Sequence, residues 1–395
     1  MTTSNDALSW ITSQPYVIAD GATGTNLFQV GLETGYPPEL WNVEQPEKIR
    51  QLHQSFIDAG SDLILTNSFG GTSFRLKLHQ SETRVVELNK AAATLAREVA
   101  DKAGRRVIVA GSIGPTGELF TPLGALKRDS AIAAFTEQAE ALADGGADIL
   151  WIETMSALEE VEAATVAAKT TGLPVMATMT FDTAGRSMMG ILPKDYAQFA
   201  AEHGLQGYGA NCGIGPAELM DAVLGLKKAD APFLIAKGNC GIPVYQDGAI
   251  HYHGTPELMA EYAVLARDAG VKIIGGCCGT SPEHVAAMHK ALAERPSEGD
   301  VDMARLTAGL GKPWKDLPTP PTEGGATGGM SERRQRRRAA RRCPTATRRS
   351  RSRRRRRRRS RRRRHRRSRR RRRRRRRSSS GGTSRTWRRT PRSSP

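Results

Sequence analysis

Ile273-Ile274-Gly275-Gly276-Cys277-Cys278-Gly279-Thr280 decides how this chain is read. An apolar run of strand type ends in two glycines, two adjacent cysteines and a third glycine. Ser281-Pro282-Glu283, a helix-start signal, follows at once. A strand that hands over directly to a helix is one βα unit, and here the reactive side chains stand at its junction. Upstream, Tyr208-Gly209-Ala210-Asn211-Cys212-Gly213 repeats the setting with a single cysteine.

Working outward, the same unit recurs. Short runs rich in Val and Ile fall at 17–20, 62–69, 106–113, 149–154, 175–181, 208–212, 233–237 and 271–275. Their continuous apolarity reads as parallel strands buried on both faces. An amphipathic stretch follows each, at 46–59, 84–103, 130–144, 157–170, 193–203, 216–227, 256–269 and 282–293. Five of these open on proline, which suits a first helical turn. Ser156-Ala157-Leu158-Glu159 has the capping-box pattern for the fourth. Six stretches stop at a glycine: Gly60, Gly104, Gly145, Gly172, Gly204 and Gly270. Eight βα units predict an α/β protein, a single (β/α)8 TIM barrel over 17–293. A doubly wound open sheet would carry a phosphate fingerprint after its first strand, and Gly21-Ala22-Thr23-Gly24-Thr25-Asn26 lacks that spacing.

The remaining segments are a lead-in at 1–16, a Pro/Gly-rich linker at 294–330 with one short helix over 300–311, and an Arg/Ser-rich tail at 331–395. The tail holds 36 arginines against one glutamate, so the net charge of +21 belongs to it. The first 330 residues carry 25 basic against 39 acidic side chains and are acidic. Such a tail buries too little apolar surface to offset its ordering entropy and is expected to be disordered. It reads either as an arm for nucleic acid or an anionic surface, or as a shifted-frame or low-complexity extension, and the sequence favours the second. The five cysteines are odd in number and irregularly spaced, which argues against a disulfide framework. Residues 1–15 lack the pattern of a signal peptide, and no apolar run is long enough to span a membrane. The expected location is the reducing cytoplasm.

In a barrel the chemistry lies at the C-terminal strand ends. Cys212, Cys277 and Cys278 fall there on strands 6 and 8, which are separated by one strand in a closed barrel. Three thiolates with a fourth position open make the catalytic kind of zinc site. Zn²⁺ with three thiolates carries a net charge of −1 and suits holding a further thiol in its nucleophilic form. Cys240 is left outside the set as a buried free thiol. Glu153 and Asp20 are placed to accept a substrate ammonium, although each also fits a plainer role, at a helix N-terminus or in a turn. The loop from Gly111 to Gly117 has the composition of an anion cradle, and His251-Tyr252-His253 reads as a surface loop.

At these residues the chain resembles the homocysteine S-methyltransferase (homocysteine-binding) family. The signature stretches are Asp20-Gly21-Ala22-Thr23-Gly24-Thr25, Gly209-Ala210-Asn211-Cys212 and Gly275-Gly276-Cys277-Cys278-Gly279-Thr280. The resemblance implies a (β/α)8 barrel with zinc on Cys212, Cys277 and Cys278, and no catalytic group beyond the activated substrate thiolate. It also implies that Glu153 binds the homocysteine amino group and that Asp20 and Gly21 contact the amino acid. Asn211, beside Cys212, is counted with these substrate-binding residues. The partners implied are homocysteine and a methyl donor, with a second copy of the chain as a further candidate. Whole-length character looks most like bacterial betaine–homocysteine methyltransferases, with S-methylmethionine or methyl-cobalamin as the alternative donors. The chain departs from the animal betaine enzymes in having Glu153-Thr154 and Phe69-Gly70. For a trimethylammonium cage it offers Trp41, Phe69, Trp151 and Tyr245. Cobalamin-dependent methionine synthases share the Glu-Thr pair, but their cobalamin and folate modules have no counterpart in these residues.

Overall fold

A computed structural model describes residues 4–227, 233–242, 244–246 and 249–314. The tail at 331–395, with Cys343, and most of the expected linker lie outside the described residues. Eight parallel strands form one sheet: β1 Val17–Ile18, β2 Leu63–Leu65, β3 Ile108–Ile113, β4 Ile149–Met155, β5 Val175–Met179, β6 Gly207–Cys212, β7 Leu234–Gly238 and β8 Val271–Gly276. Each neighbours the next, and β8 returns to β1 through the Val17–Ile273 and Ile18–Ile274 pairs. Closure between β1 and β2 rests on one bridge, Ala19 to Leu63, flanked by Asp62 N–H to Ile18 O at 2.7 Å and Asp20 N–H to Leu63 O at 3.0 Å. The expected barrel is therefore the observed one.

All eight helices are present, from Pro46–Asp58 to Pro282–Glu294. Two local expectations change. The fourth helix has Ala157 at its N-cap and no side-chain cap, so the Ser156–Glu159 box does not form. A capping box forms instead at Ser281, where the N3 residue is His284. Gly145 is right-handed, and the left-handed turn before β4 falls on Gly146.

Along the strands, alternate residues point into the barrel. Val17, Leu63, Ile108, Ile149, Met176, Phe233 and Ile273 form its lower interior, with Trp151 above them. The lead-in turns out to be a helix, Ser4–Ser13, whose Ala7 and Ile11 pack into this same cluster and stop the N-terminal mouth. Arg106 to Asp6 at 2.7 Å, and Lys272 to the carbonyls of Thr12 and Gln14, hold it there. A last helix, Met303–Leu310, packs Leu306 against the outer helices. Toward the C-terminal ends the inward residues become polar: Ser112, Glu153, Thr178, Asn211 and Lys237. Apolar packing fixes the barrel below, and it holds the polar layer at a defined height.

Candidate functional site

Cys212 ends β6, and Cys277-Cys278 follow β8 directly. Strand pairing sets Cys212 and Gly276 level with Gly238 of β7, so the three sulfurs meet over the end of that strand. Sγ of Cys212 lies 3.9 Å from Sγ of Cys278, and all three sulfurs lie within 4.8 Å of one another. A tetrahedral ion with bonds of about 2.3 Å to sulfur separates its ligands by about 3.8 Å, so the donor set fits zinc. Cys212 adopts a left-handed backbone with φ of 63°. This costs roughly 1–2 kcal/mol for a residue with a side chain, and such strain is tolerated where surrounding structure fixes it.

The thiols are held protonated by one another and by burial. For Cys212 and Cys278 the hydrogen bond with one neighbouring thiol favours ionisation. The other neighbour and burial outweigh it, and both are pushed up to about 12. Cys277, through its bond with Cys212 and through burial, is raised well above the usual thiol range. A dication is what would ionise all three together. Tyr252 belongs to this centre as well, its phenol held above its ordinary range by burial and by the neighbouring Cys278.

Beside the sulfurs lies a carboxylate–ammonium group. Lys237 Nζ is 2.7 Å from Asp20 Oδ1, and Asp20 Oδ2 accepts from Leu65 N–H at 2.8 Å. Burial opposes the charge on Lys237, but Asp20, Glu153 and Cys277 outweigh it and hold the ammonium above its ordinary range. Glu153 accepts from Ser112 Oγ, and burial raises its carboxyl against the pull of Lys237. Asn211 is fully buried. Its Oδ1 accepts from Thr154 N–H at 2.8 Å and Thr178 Oγ at 2.7 Å, while Nδ2 donates to Thr154 Oγ1 at 2.7 Å and reaches toward Cys277 Sγ at 3.9 Å. Thr154, like Cys212, is left-handed with φ of 61°, and Asn211 binds both its backbone and its hydroxyl.

These groups form the floor of a cavity of about 460 Å³, a size that suits one or two small molecules. Cys212, Cys277, Cys278, Glu153, Lys237 and Gly21 line it; Asp20 and Asn211 do not. Both sit behind the surface, Asp20 on Lys237 and Asn211 on Thr154. Gly21 is where the wall is tightest, since a Cβ there would sit 2.5 Å from Thr280 O. Higher up, Tyr36, Glu39, Phe69, Arg75 and His79 face the same space. Glu39 is buried and accepts from Gly70 N–H at 2.6 Å; burial raises its carboxyl, with Arg75 and His79 acting against it.

Of the aromatics offered for a cage, Phe69 is the only one among the described side chains that reaches the cavity. Trp151 is sealed in the barrel with Nε1 on Thr178 Oγ1, Trp41 is buried under Lys48, and the side chain of Tyr245 lies outside the described residues. Tyr36, not singled out from sequence, lines the same cavity. The anion cradle at 111–117 is filled from within, by Glu160 accepting from Thr116 N–H and Oγ. Cys240 is fully buried apart from the cluster, its thiol donating to Gly254 O at 3.0 Å. Lys237, Glu39 and Asn239 are among the site residues that sequence reasoning did not assign, and Tyr252, expected in a surface loop, lies against Cys278 instead. Lys237 and Asn239, at a barrel strand end, carried the one signal that could have found them.

Residues 17–292 match the family model for homocysteine S-methyltransferase. The chain is 30% identical over 301 residues to methionine synthase of Mycobacterium tuberculosis (strain ATCC 25618 / H37Rv), covering 72% of this chain and 25% of that protein. It is 30% identical over 309 residues to methionine synthase of Mycobacterium leprae (strain TN), covering 73% and 25%. The chain thus spans about a quarter of the length of the curated relatives it matches. Among solved structures, the metallated form of the homocysteine methyltransferase MmuM from Escherichia coli superposes with a TM-score of 0.60 at 25% identity, over 71% of this chain and 98% of that one.

Proposed function

This chain belongs to the homocysteine S-methyltransferase family, and from that footing we propose that it moves a methyl group from betaine to the thiol of homocysteine, giving methionine and dimethylglycine, with zinc on Cys212, Cys277 and Cys278. The observation that carries the reading is the convergence of three sulfurs at metal spacing on a cavity floor that also presents Glu153. Zinc held there supplies the positive charge that keeps a substrate thiol ionised at neutral pH.

The protein's own residues do the rest. Glu153, aimed by Ser112, takes the homocysteine ammonium, and Asn211 fixes the Glu153-Thr154 strand end from behind. Lys237, anchored by Asp20, offsets the negative charge gathered on the floor. The homocysteine thiolate attacks the methyl carbon in line; the methyl–nitrogen bond breaks and its electron pair stays on nitrogen. No proton moves at sulfur in this step, so alignment of the three atoms is the main task. Tyr36 and Phe69 with the Glu39 carboxylate suit an onium group, and Arg75 and His79 suit the carboxylate of the same small donor.

Methyl-cobalamin is the second reading, favoured by the likeness to methionine synthases. No helix among the described residues is long and apolar enough to cross a membrane, and thiol ligands call for a reducing compartment, which we take to be the cytoplasm. The test is methionine formation from homocysteine by protein of known zinc content, with betaine, S-methylmethionine and methyl-cobalamin offered separately. Turnover with betaine is expected. Turnover with another donor alone replaces betaine, and a protein that never binds stoichiometric zinc overturns the metal reading.

A further inference from the structure

β7 contributes no sulfur to the cluster, yet it lies between the two strands that do. Its end grips the Cys277-Cys278 segment by three hydrogen bonds. Cys277 N–H donates to Gly238 O at 2.7 Å, Cys278 N–H donates to Asn239 Oδ1 at 3.0 Å, and Cys240 N–H donates to Cys278 O at 2.9 Å. Beyond the pairing of the β7 backbone with β6, which ends at Cys212–Gly238, the Asn239 side chain reaches the other way as well. Its Nδ2 donates to the carbonyl of Gly213, the residue after Cys212, at 2.5 Å. One buried amide thus joins the backbones on which Cys278 and Cys212 are mounted.

We propose that Asn239 is a positioning residue of the metal centre, setting the separation of Cys212 from Cys278 before the ion arrives. The inference rests on the three-thiolate reading given above. Asparagine suits the task because it offers an acceptor to one loop and a donor to the other. Aspartate can serve Cys278 N–H but has nothing to donate to Gly213 O, and alanine serves neither. Cys212 makes the tie consequential. Its left-handed backbone is a conformation the chain leaves readily unless held, and Gly213, also left-handed with φ of 83°, is the next residue along. With the link cut, strand pairing still brings the two segments to β7 but no longer fixes the loops beyond it, so the ion must order them and its affinity falls.

The experiment measures zinc dissociation constants by competition with a chromophoric chelator for the full chain, for Asn239→Ala and for Asn239→Asp. Thermal unfolding of each metal-free form runs alongside. Both variants are expected to bind zinc roughly 10- to 100-fold more weakly, while their metal-free forms unfold as the parent does. Unchanged affinity in either folded variant overturns the proposal, and so does loss of the metal-free fold in both, which would make Asn239 a residue of general stability. If the parent chain binds no zinc, the three-thiolate reading falls first, and that outcome is distinct from equal affinities.

Discussion

The ammonium of Lys237 and the carboxylate of Asp20 meet at 2.7 Å with each side chain only 3% exposed. The pair joins β7 to the chain just after β1, across the intervening β8. Breaking such a pair by removing one partner strands a buried charge and costs about 3–5 kcal/mol. Lys237→Met and Asp20→Asn should each lower stability in urea by that order, and the double variant should recover a large part of it. Simple addition of the two losses would mean that the charges are not coupled.

Three thiols, all displaced well above neutrality, make a prediction about protons. Zinc binding at pH 7 should release about three protons per ion, because each ligand must ionise to bind. Calorimetry in buffers of different ionisation enthalpy counts them. Cys277→Ala should lower the count by one and abolish turnover, and chelation of the parent protein should do the latter reversibly. A count near one would exclude the full thiolate set.

Glu153→Gln keeps the hydrogen bond from Ser112 and removes the charge. A charge-assisted bond is worth about 1.5–3 kcal/mol, so KM for homocysteine should rise roughly 10- to 150-fold with a smaller change in kcat. A thiol that lacks the ammonium should bind the variant and the parent alike. Equal losses for both thiols would give Glu153 some role other than ammonium recognition.

His53 gives the fold a pH dependence of its own. It is buried, its Nε2 has no partner among the described residues, and burial lowers it from 6.5 to about 4. Above pH 6.5 the imidazole is neutral folded or unfolded and contributes no slope. As pH falls below 6.5 the unfolded chain takes up the proton and the folded one does not. Stability therefore drops until about pH 4, by about 3 kcal/mol in all. His53→Leu should flatten the urea midpoint between pH 6.5 and 4.5, and an unchanged slope would assign the effect to other groups.

The barrel was legible because its evidence is periodic. Each buried parallel strand is one apolar run, and proline or glycine marks the helix ends, so eight weak signals reinforce one another. β1 and β2 proved shorter than their runs, since the chain leaves the sheet at Asp20 and Thr66, and Gly21 and the stretch from Thr66 then line the cavity. The helix Ser4–Ser13 was missed because, among its described side chains, it fully buries only Ala7 and Ile11, with Leu8 and Trp10 half-buried beside them, too few to set a period. The cysteines could be read because a vicinal pair has little other use. Lys237, Glu39 and Asn239 could not be assigned, because their meaning depends on which partner the closed sheet brings within 3 Å.

Because packed side chains fill the barrel and the Ser4–Ser13 helix covers them, the cysteine floor is closed from below and is reached from the C-terminal strand ends. Whatever sits on the cysteine floor enters before the molecule above it and leaves after it. In the reaction proposed above, homocysteine would be first in and methionine last out, with the demethylated donor released between. Steady-state kinetics should accordingly show a sequential, ordered pattern. Excess donor would trap methionine beneath it, and substrate inhibition by the donor would be the visible mark of a floor reached from above.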